Sequence, residues 1–207
     1  KNILYDLPDT SYDCVFHLAA FPSVQRSVVE PANTFRNNAY GTSLLLKWAK
    51  DHNVKRVVFS SSAAASSLKS PYGLHKRVSE LECELYSQLY SLDYNVYSED
   101  QKYGGPYSNV ISAWMYMIEQ GKPLQIDGDG EQTRDFIHVN DIVAANIFCM
   151  NYNADFNGQV LDVASGQSCS LNKIREIINS NHKVQWIPHP ERKGDIKHSH
   201  SKISGLL

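Results

Sequence analysis

The sequence predicts an α/β fold with a parallel sheet buried between helices, and three observations carry that prediction. Two short apolar runs, CVFHLAA at Cys14–Ala20 and RVVF at Arg56–Phe59, have the length and composition of strands covered on both faces. Helical apolar spacing follows each of them, from Pro31 to His52 and again from Tyr72. Both runs end in small or hydroxyl residues, Ala19-Ala20 and Ser60-Ser61-Ser62, where α/β sheets bind their ligands.

The elements follow in order. His17, inside the first run, reads as a structural residue. Pro31 starts a helix whose broad apolar face comprises Leu44, Leu45, Leu46, Trp48 and Ala49. Asn53 and Val54 lead into the second strand. Ser70 suits the cap of the next helix, and Pro71 its first position, where a missing N–H costs nothing. Leu74, Val78, Leu81, Leu85 and Leu89 form a stripe expected to pack on the sheet, leaving Glu80, Glu82 and Glu84 to solvent. Between Ser91 and Tyr94-Asn95 no apolar strand is visible. Gly104-Gly105-Pro106 reads as a turn, and Asn109 as the opening of a helix to Gln120. Asp127–Gly130 is a glycine-punctuated turn before a strand bearing Arg134, and Asn140-Asp141 is read as the cap of a helix to Met150. Gly158–Gly166 reads as strand and turn. Ser170 caps the helix Leu171–Ser180, with Leu171, Ile174, Ile177 and Ile178 inward.

A net charge of −2 over 207 residues, with acids and bases mixed, gives no basic footprint for nucleic acid. A hydrophobic content of 42% suits a globular core, and no run approaches the ~18 apolar residues of a membrane span. Four cysteines without C-x-x-C spacing read as reduced packing residues of a cytoplasmic protein. No secretory signal is visible. His198 and His200 have no third ligand, so no metal site is expected.

The chemistry centres on Tyr72 and Lys76, four apart and therefore on one helix face. A free tyrosine with a pKa near ~10 is no base at neutral pH. A positive charge about 4 Å away contributes roughly 4 kcal/mol at an effective dielectric of ~20, enough to bring a phenol toward neutrality. There an acid–base catalyst works best, and a strand-end serine could bond the same substrate oxygen.

VVFSSSAA followed by SPYGLHK resembles the extended short-chain dehydrogenase/reductases, and within them the UDP-sugar 4-epimerases. The resemblance implies a Rossmann-type doubly wound sheet over residues 1–102, and a smaller C-terminal substrate lobe over 103–207 from which 134–152 return to the first domain. The family opens with G-x-x-G-x-x-G, which is absent, so the chain is expected to enter the fold at least one βαβ unit late. The cofactor implied is NAD, lined by Leu18, Ala19, Ala20, Phe21, Pro22 and Ser60. Asn37-Asn38-Ala-Tyr-Gly-Thr resembles the family's N-N-x-x-G-T, and the 25 residues from Asn37 to Ser62 match its register, which implies that Asn37 steadies the cofactor. Tyr94-Asn95-Val-Tyr resembles a turn that brings Tyr94 to the nicotinamide and Asn95 to the sugar diphosphate; Asn109 matches a substrate contact.

G-D-G-E-Q-T-R-D-F-I-H-V resembles a second signature, in which Arg134 grips the diphosphate. Pro190–Asp195 resembles R-x-G-D, with Arg192 on the diphosphate and Asp195 on a ribose hydroxyl. The implied reaction is NAD-dependent epimerisation at C4, with Tyr72 as base, Ser62 on the reacting oxygen, and Lys76 tuning Tyr72 and holding the nicotinamide ribose. Ala63-Ala64 after Ser62 lack the acids of dehydratases and decarboxylases. Ser199, seven residues past Arg192, is small and tilts the expectation toward UDP-N-acetylglucosamine and UDP-N-acetylgalactosamine. The alternatives are a non-catalytic nucleotide-sugar binder without its dinucleotide half, and a reductase or dehydratase on the same scaffold. A homodimer is expected.

Overall fold

The computed structural model describes residues 2–98, 110–192 and 195–199. The chain runs through β1 (Cys14–His17), α1 (Val24–Val29), α2 (Pro31–Phe35), α3 (Gly41–Asp51), β2 (Arg56–Ser61), the single turn α4 (Ala64–Ser67), the long α5 (Pro71–Tyr90) and β3 (Asp93–Ser98). It continues with α6 (Val110–Glu119), β4 (Leu124–Asp127), β5 (Thr133–Asp135), α7 (Val139–Asn151), β6 (Val160–Leu161), β7 (Ser168–Ser170), α8 (Leu171–Asn181) and β8 (Trp186–His189). Two compact units result, Lys1–Glu99 with His138–Val163, and Asp100–Ile137 with Ala164–Leu207.

In the first unit four parallel strands lie in the order β1-β2-β3-β6. Successive β2 side chains point to opposite faces. Val57 and Phe59 join Leu45, Leu46 and Ala49 of α3 and Cys83 of α5 in one core. Val58 joins Cys149 of α7 and Phe156 in the other. Helices on both faces explain why β2 is apolar without alternation; each fully buried Val or Phe contributes about 1.5–3 kcal/mol.

Three expectations for this unit change. The strand missing from the sequence is the Tyr94-Asn-Val-Tyr motif itself. Ser91 ends α5 in the left-handed region at φ 53°, so only Leu92 precedes β3. Arg56↔Asp93 through Ser61↔Ser98 supply the ladder on the side of β2 away from β1. The helix expected over Pro31–His52 is interrupted by one wide π-turn, Arg36–Tyr40, which lets Asn38, Ala39, Gly41 and Thr42 all face inward. The third change is the orientation of α5. Its sheet-facing side chains are Tyr72, Lys76, Ser79, Glu80 and Cys83, while Leu74, Leu81, Leu85 and Leu89 are 48–61% exposed. Polar partners at the end of β2 explain the inversion, because Glu80 takes the Ser61 hydroxyl and Lys76 the Ser60 carbonyl. Glu82, also expected in solvent, bonds Ser43 of α3.

The second unit holds a parallel pair, β4–β8, and an antiparallel pair, β5–β7. Its core gathers Trp114, Leu124, Ile126, Leu171, Ile174 and Ile178, with Trp114 edge-on to Trp186 at 4.9 Å. Ser170 caps α8 by accepting from the Lys173 N–H at 3.2 Å, as its position implies. Ile177 is 54% exposed rather than inward. Gly130 has φ +73°, and a Cβ there would lie 2.4 Å from Asn172 Oδ1, so the turn needs glycine. In the first unit, α7 is capped by the His138 imidazole, accepting from the Asn140 N–H at 3.2 Å, in place of the expected Asn140-Asp141. Among the described residues no helix is long and apolar enough to cross a membrane. Among them, too, no three His, Cys, Asp or Glu side chains cluster as metal ligands.

Candidate active site

The carboxyl ends of β1 and β2 lie side by side, because His17 pairs with Phe59 and Ser60 to Ser62 follow. Ser62 turns the chain into α4, its carbonyl accepting from Ala65 N at 2.9 Å and its hydroxyl from Ala64 N at 3.3 Å. Ser70 then caps α5, accepting from Gly73 N at 3.1 Å, with Pro71 in the first turn. A Cβ on Gly73 would come within 2.3 Å of the Ala64 carbonyl, so only glycine lets the helix start this close to the strand end.

That seating fixes Tyr72 and Lys76, each 2% exposed. The Lys76 ammonium donates to the Ser60 carbonyl at 2.7 Å and lies 4.9 Å from the Phe59 ring centroid and 6.0 Å from that of Tyr72. Phenol and ammonium therefore share the sheet-facing side of one helix. His17 lies under them and is not an acid–base group: burial, then the Lys76 charge, push its pKa down to about 3. Its Nε2 donates to Thr42 Oγ1 at 2.9 Å, since the Thr42 hydroxyl gives its own proton to the Asn38 carbonyl at 2.7 Å.

Beyond β1, Leu18 and Ala19 are exposed and Ala20, Phe21 and Pro22 half-buried. The residue that steadies this loop is Asn38. Its side chain accepts from Phe21 N at 2.7 Å and donates to Phe21 O at 3.3 Å. Asn37 instead bonds Asn33 within its own helix. The wide turn presents Asn38 inward to Phe21, while Asn37 stays on the helix's half-buried side.

Tyr94 is corrected outright. It pairs with Val57 inside the sheet, is 1% exposed, and donates to the carbonyls of Glu80 and Gly158 at 3.0 and 3.2 Å. Burial pushes its phenol well above the ordinary range, so it is a core hydroxyl and no nicotinamide contact. Asn95 pairs with Val58 in mid-strand rather than sitting in a turn beyond it, and its side chain lies outside the described set. Asn109 lies outside the described residues.

In the second unit, Arg134 donates to Asp195 at 2.7 Å and to the carbonyls of Thr133 and Ile196 at 2.8 and 2.6 Å. Arg192 pairs with Asp127, whose other oxygen meets His189 Nδ1 at 3.0 Å. Ser199 lies beside the same strand, donating from its N–H to the Thr133 carbonyl at 3.1 Å. A cavity of about 180 Å³ is lined by Asp127, Asp129, Glu191, Arg192, Asp195 and Lys197, among others. Arg134, Asp195 and Ser199 are thus neighbours, while Arg192 is held at the cavity by Asp127. A wider opening of about 650 Å³ lies at the amino-terminal edge of the first unit's sheet, between Asp13, Lys55, Arg56 and Asp155. It contains none of the candidate site residues.

The model of the NAD dependent epimerase/dehydratase family matches residues 4–164. The chain belongs to that family. It is 32% identical over 188 residues to a putative UDP-glucose 4-epimerase of Methanocaldococcus jannaschii, covering 80% of this chain and 60% of that protein. Its fold matches the UDP-N-acetylglucosamine 4-epimerase of Methanobrevibacter ruminantium in complex with UDP-N-acetylmuramic acid, with TM-score 0.80 and 36% identity over 93% of this chain and 68% of that one. It likewise matches the UDP-glucose 4-epimerase of Thermotoga maritima with UDP-glucose, with TM-score 0.80, 30% identity, and 93% and 69% coverage. The chain therefore has the Rossmann-like fold of the epimerase family and spans about three-fifths of the length of the M. jannaschii relative.

The family's cofactor is NAD. The donor set at the carboxyl edge fits its nicotinamide ribose: a buried ammonium, a phenol and serine hydroxyls beside the apolar, partly exposed loop Leu18–Pro22. Glu80, which the sequence left in solvent, stands at the same edge; the four-residue step from Tyr72 through Lys76 is the signal that could have found it.

Proposed function

We propose that the protein is an NAD-dependent 4-epimerase of UDP-hexoses that prefers UDP-N-acetylglucosamine and UDP-N-acetylgalactosamine. The observation that carries this reading is the buried Tyr72–Lys76 face of α5, tied through Lys76 to the Ser60 carbonyl at the strand end. Tyr72 takes the proton of the sugar 4-hydroxyl and later returns it to the 4-oxygen. Ser62 bonds that oxygen throughout, and Lys76 favours the phenolate by its charge. NAD, when bound, supplies a hydride acceptor, and the transient product on the sugar is a 4-ketone. Leu18 to Pro22, steadied by Asn38, and Ser60 line the cofactor side.

For the nucleotide end we propose Arg134 and Arg192 on the diphosphate and Asp195 on a ribose hydroxyl, with Asn95 and Asn109 as further substrate contacts. An arginine fork matches a diphosphate better than a single carboxylate, so binding exchanges the Asp127 partner of Arg192 for phosphate oxygens. Ser199 leaves room for an N-acetyl group. We further propose a cytoplasmic homodimer. The outward leucines of α5 support it, because a contiguous apolar stripe on a soluble helix marks a face for another protein.

The test is an assay of both sugar pairs with the intact, NAD-loaded protein. Interconversion of the N-acetyl pair at least several-fold faster is the expected result. Activity on UDP-glucose alone overturns the substrate preference. Net consumption of free NAD(P)H makes it a reductase, and binding without turnover makes it a nucleotide-sugar binder.

A further inference from the structure

We infer that Glu80 is a positioning residue for the Tyr72 base, an inference that rests on the epimerase reading above. Tyr72, Lys76 and Glu80 are spaced by four and stack along one face of α5. Glu80 is 6% exposed. One carboxylate oxygen accepts from the Ser61 hydroxyl, and the other accepts from Arg77 Nη1 at 2.8 Å. Its carbonyl accepts from Tyr94 Oη at 3.0 Å.

These contacts combine into a brace. Consecutive turns of α5 are tied to consecutive residues of β2, Lys76 to Ser60 and Glu80 to Ser61. Ser62, the hydroxyl that bonds the reacting oxygen, follows directly. The Gly73 contact with Ala64 holds the first turn against the same loop. A lone tether through Lys76 would let the helix pivot about the Ser60 carbonyl; a second, one turn along, stops the pivot. Proton transfer needs heavy atoms within about 2.6–3.2 Å, so a small pivot at Tyr72 is costly. A carboxylate at this depth is otherwise unfavourable, and the apolar packing of Cys83 and Phe59 does not call for one.

The experiment uses the intact NAD-loaded protein and the variants Glu80→Ala, Glu80→Gln and Ser61→Ala. Glutamine keeps an acceptor for Ser61 and is the conservative rescue. Glu80→Ala and Ser61→Ala should lower kcat about 10- to 100-fold with KM little changed, and Glu80→Gln should restore most of the loss. Tyrosine labelled with 13C at Cζ, its Tyr72 signal assigned by Tyr72→Phe, gives a readout that a merely structural role would not move. Both alanine variants should raise the Tyr72 titration midpoint by about half a pH unit or more, as the ammonium and phenol separate. An unmoved midpoint overturns the inference, whatever the melting temperature does. Should Glu80→Ala fail to fold, Ser61→Ala decides by the same measurement. Should the unmutated protein turn over no UDP-sugar, the functional reading fails, and the Tyr72 titration still decides whether Glu80 positions it.

Discussion

The two clusters of ionisable residues, one in each unit, are held in opposite ways. In the first, Tyr72 and Lys76 are each 2% exposed, and the ammonium is held by a backbone carbonyl. In the second, Arg192 is 47% exposed and Arg134 27%, and each is paired with a carboxylate. A buried, tethered pair keeps its geometry before any ligand arrives, as acid–base work demands. A half-exposed ion pair is worth little by itself and can trade its carboxylate for phosphate at small cost. On the function proposed above, the difference separates a place for chemistry from a place for grip.

The largest expected effect tests the buried side. Tyr72→Phe should lower kcat about 1,000-fold in the sugar assay, with an unchanged circular dichroism spectrum. A loss of only a few-fold would dissolve the contrast. Next comes a buried ion pair used for structure. Arg56 meets Asp93 at 2.5 Å and donates to the carbonyls of Cys149, Met150, Tyr152 and Ala154. Arg56→Ala should therefore cost about 3 kcal/mol in urea unfolding. Arg134→Ala, which breaks a partly exposed pair, should cost less, about 1 kcal/mol.

The third test uses pH. His17 is held neutral, its pKa depressed from 6.5 to about 3. Below the ordinary value the unfolded chain binds a proton that the folded chain refuses. Stability should thus be unaffected above that value and fall as pH drops through the window beneath it, by about 1.4 kcal/mol per pH unit. His17→Gln should flatten that slope in urea melts. The smallest effect is on the grip: Arg192→Ala should raise KM for the UDP-sugar about 10-fold and leave kcat nearly unchanged.

Much of the first unit was legible because its signals are local. The apolar runs gave β1 and β2, and the serine cap Ser70, like Ser170 in the second unit, was readable from side-chain chemistry alone. The misreadings needed tertiary information. The leucines of α5 have the spacing of a core stripe, and only the polar end of β2 turns the helix the other way. That Asn38 holds the Phe21 loop follows only from the wide turn, which a 3.6-residue period does not reveal. Tyr94 was read as a turn residue because nothing local reveals that the motif has been drawn into the ladder. In the second unit the signature residues were visible, but their carboxylate partners, Asp127 for Arg192 and Asp195 for Arg134, follow only from the fold.

The inverted helix has a thermal consequence. Contacts that rely on expelling water from hydrocarbon slacken as the solution is chilled. Hydrogen bonds from lysine and to glutamate do not depend on that driving force. With α5 clamped through Ser60 and Ser61, Tyr72 should keep its seat in the cold, where the apolar core of Leu45, Leu46 and Ala49 loosens first.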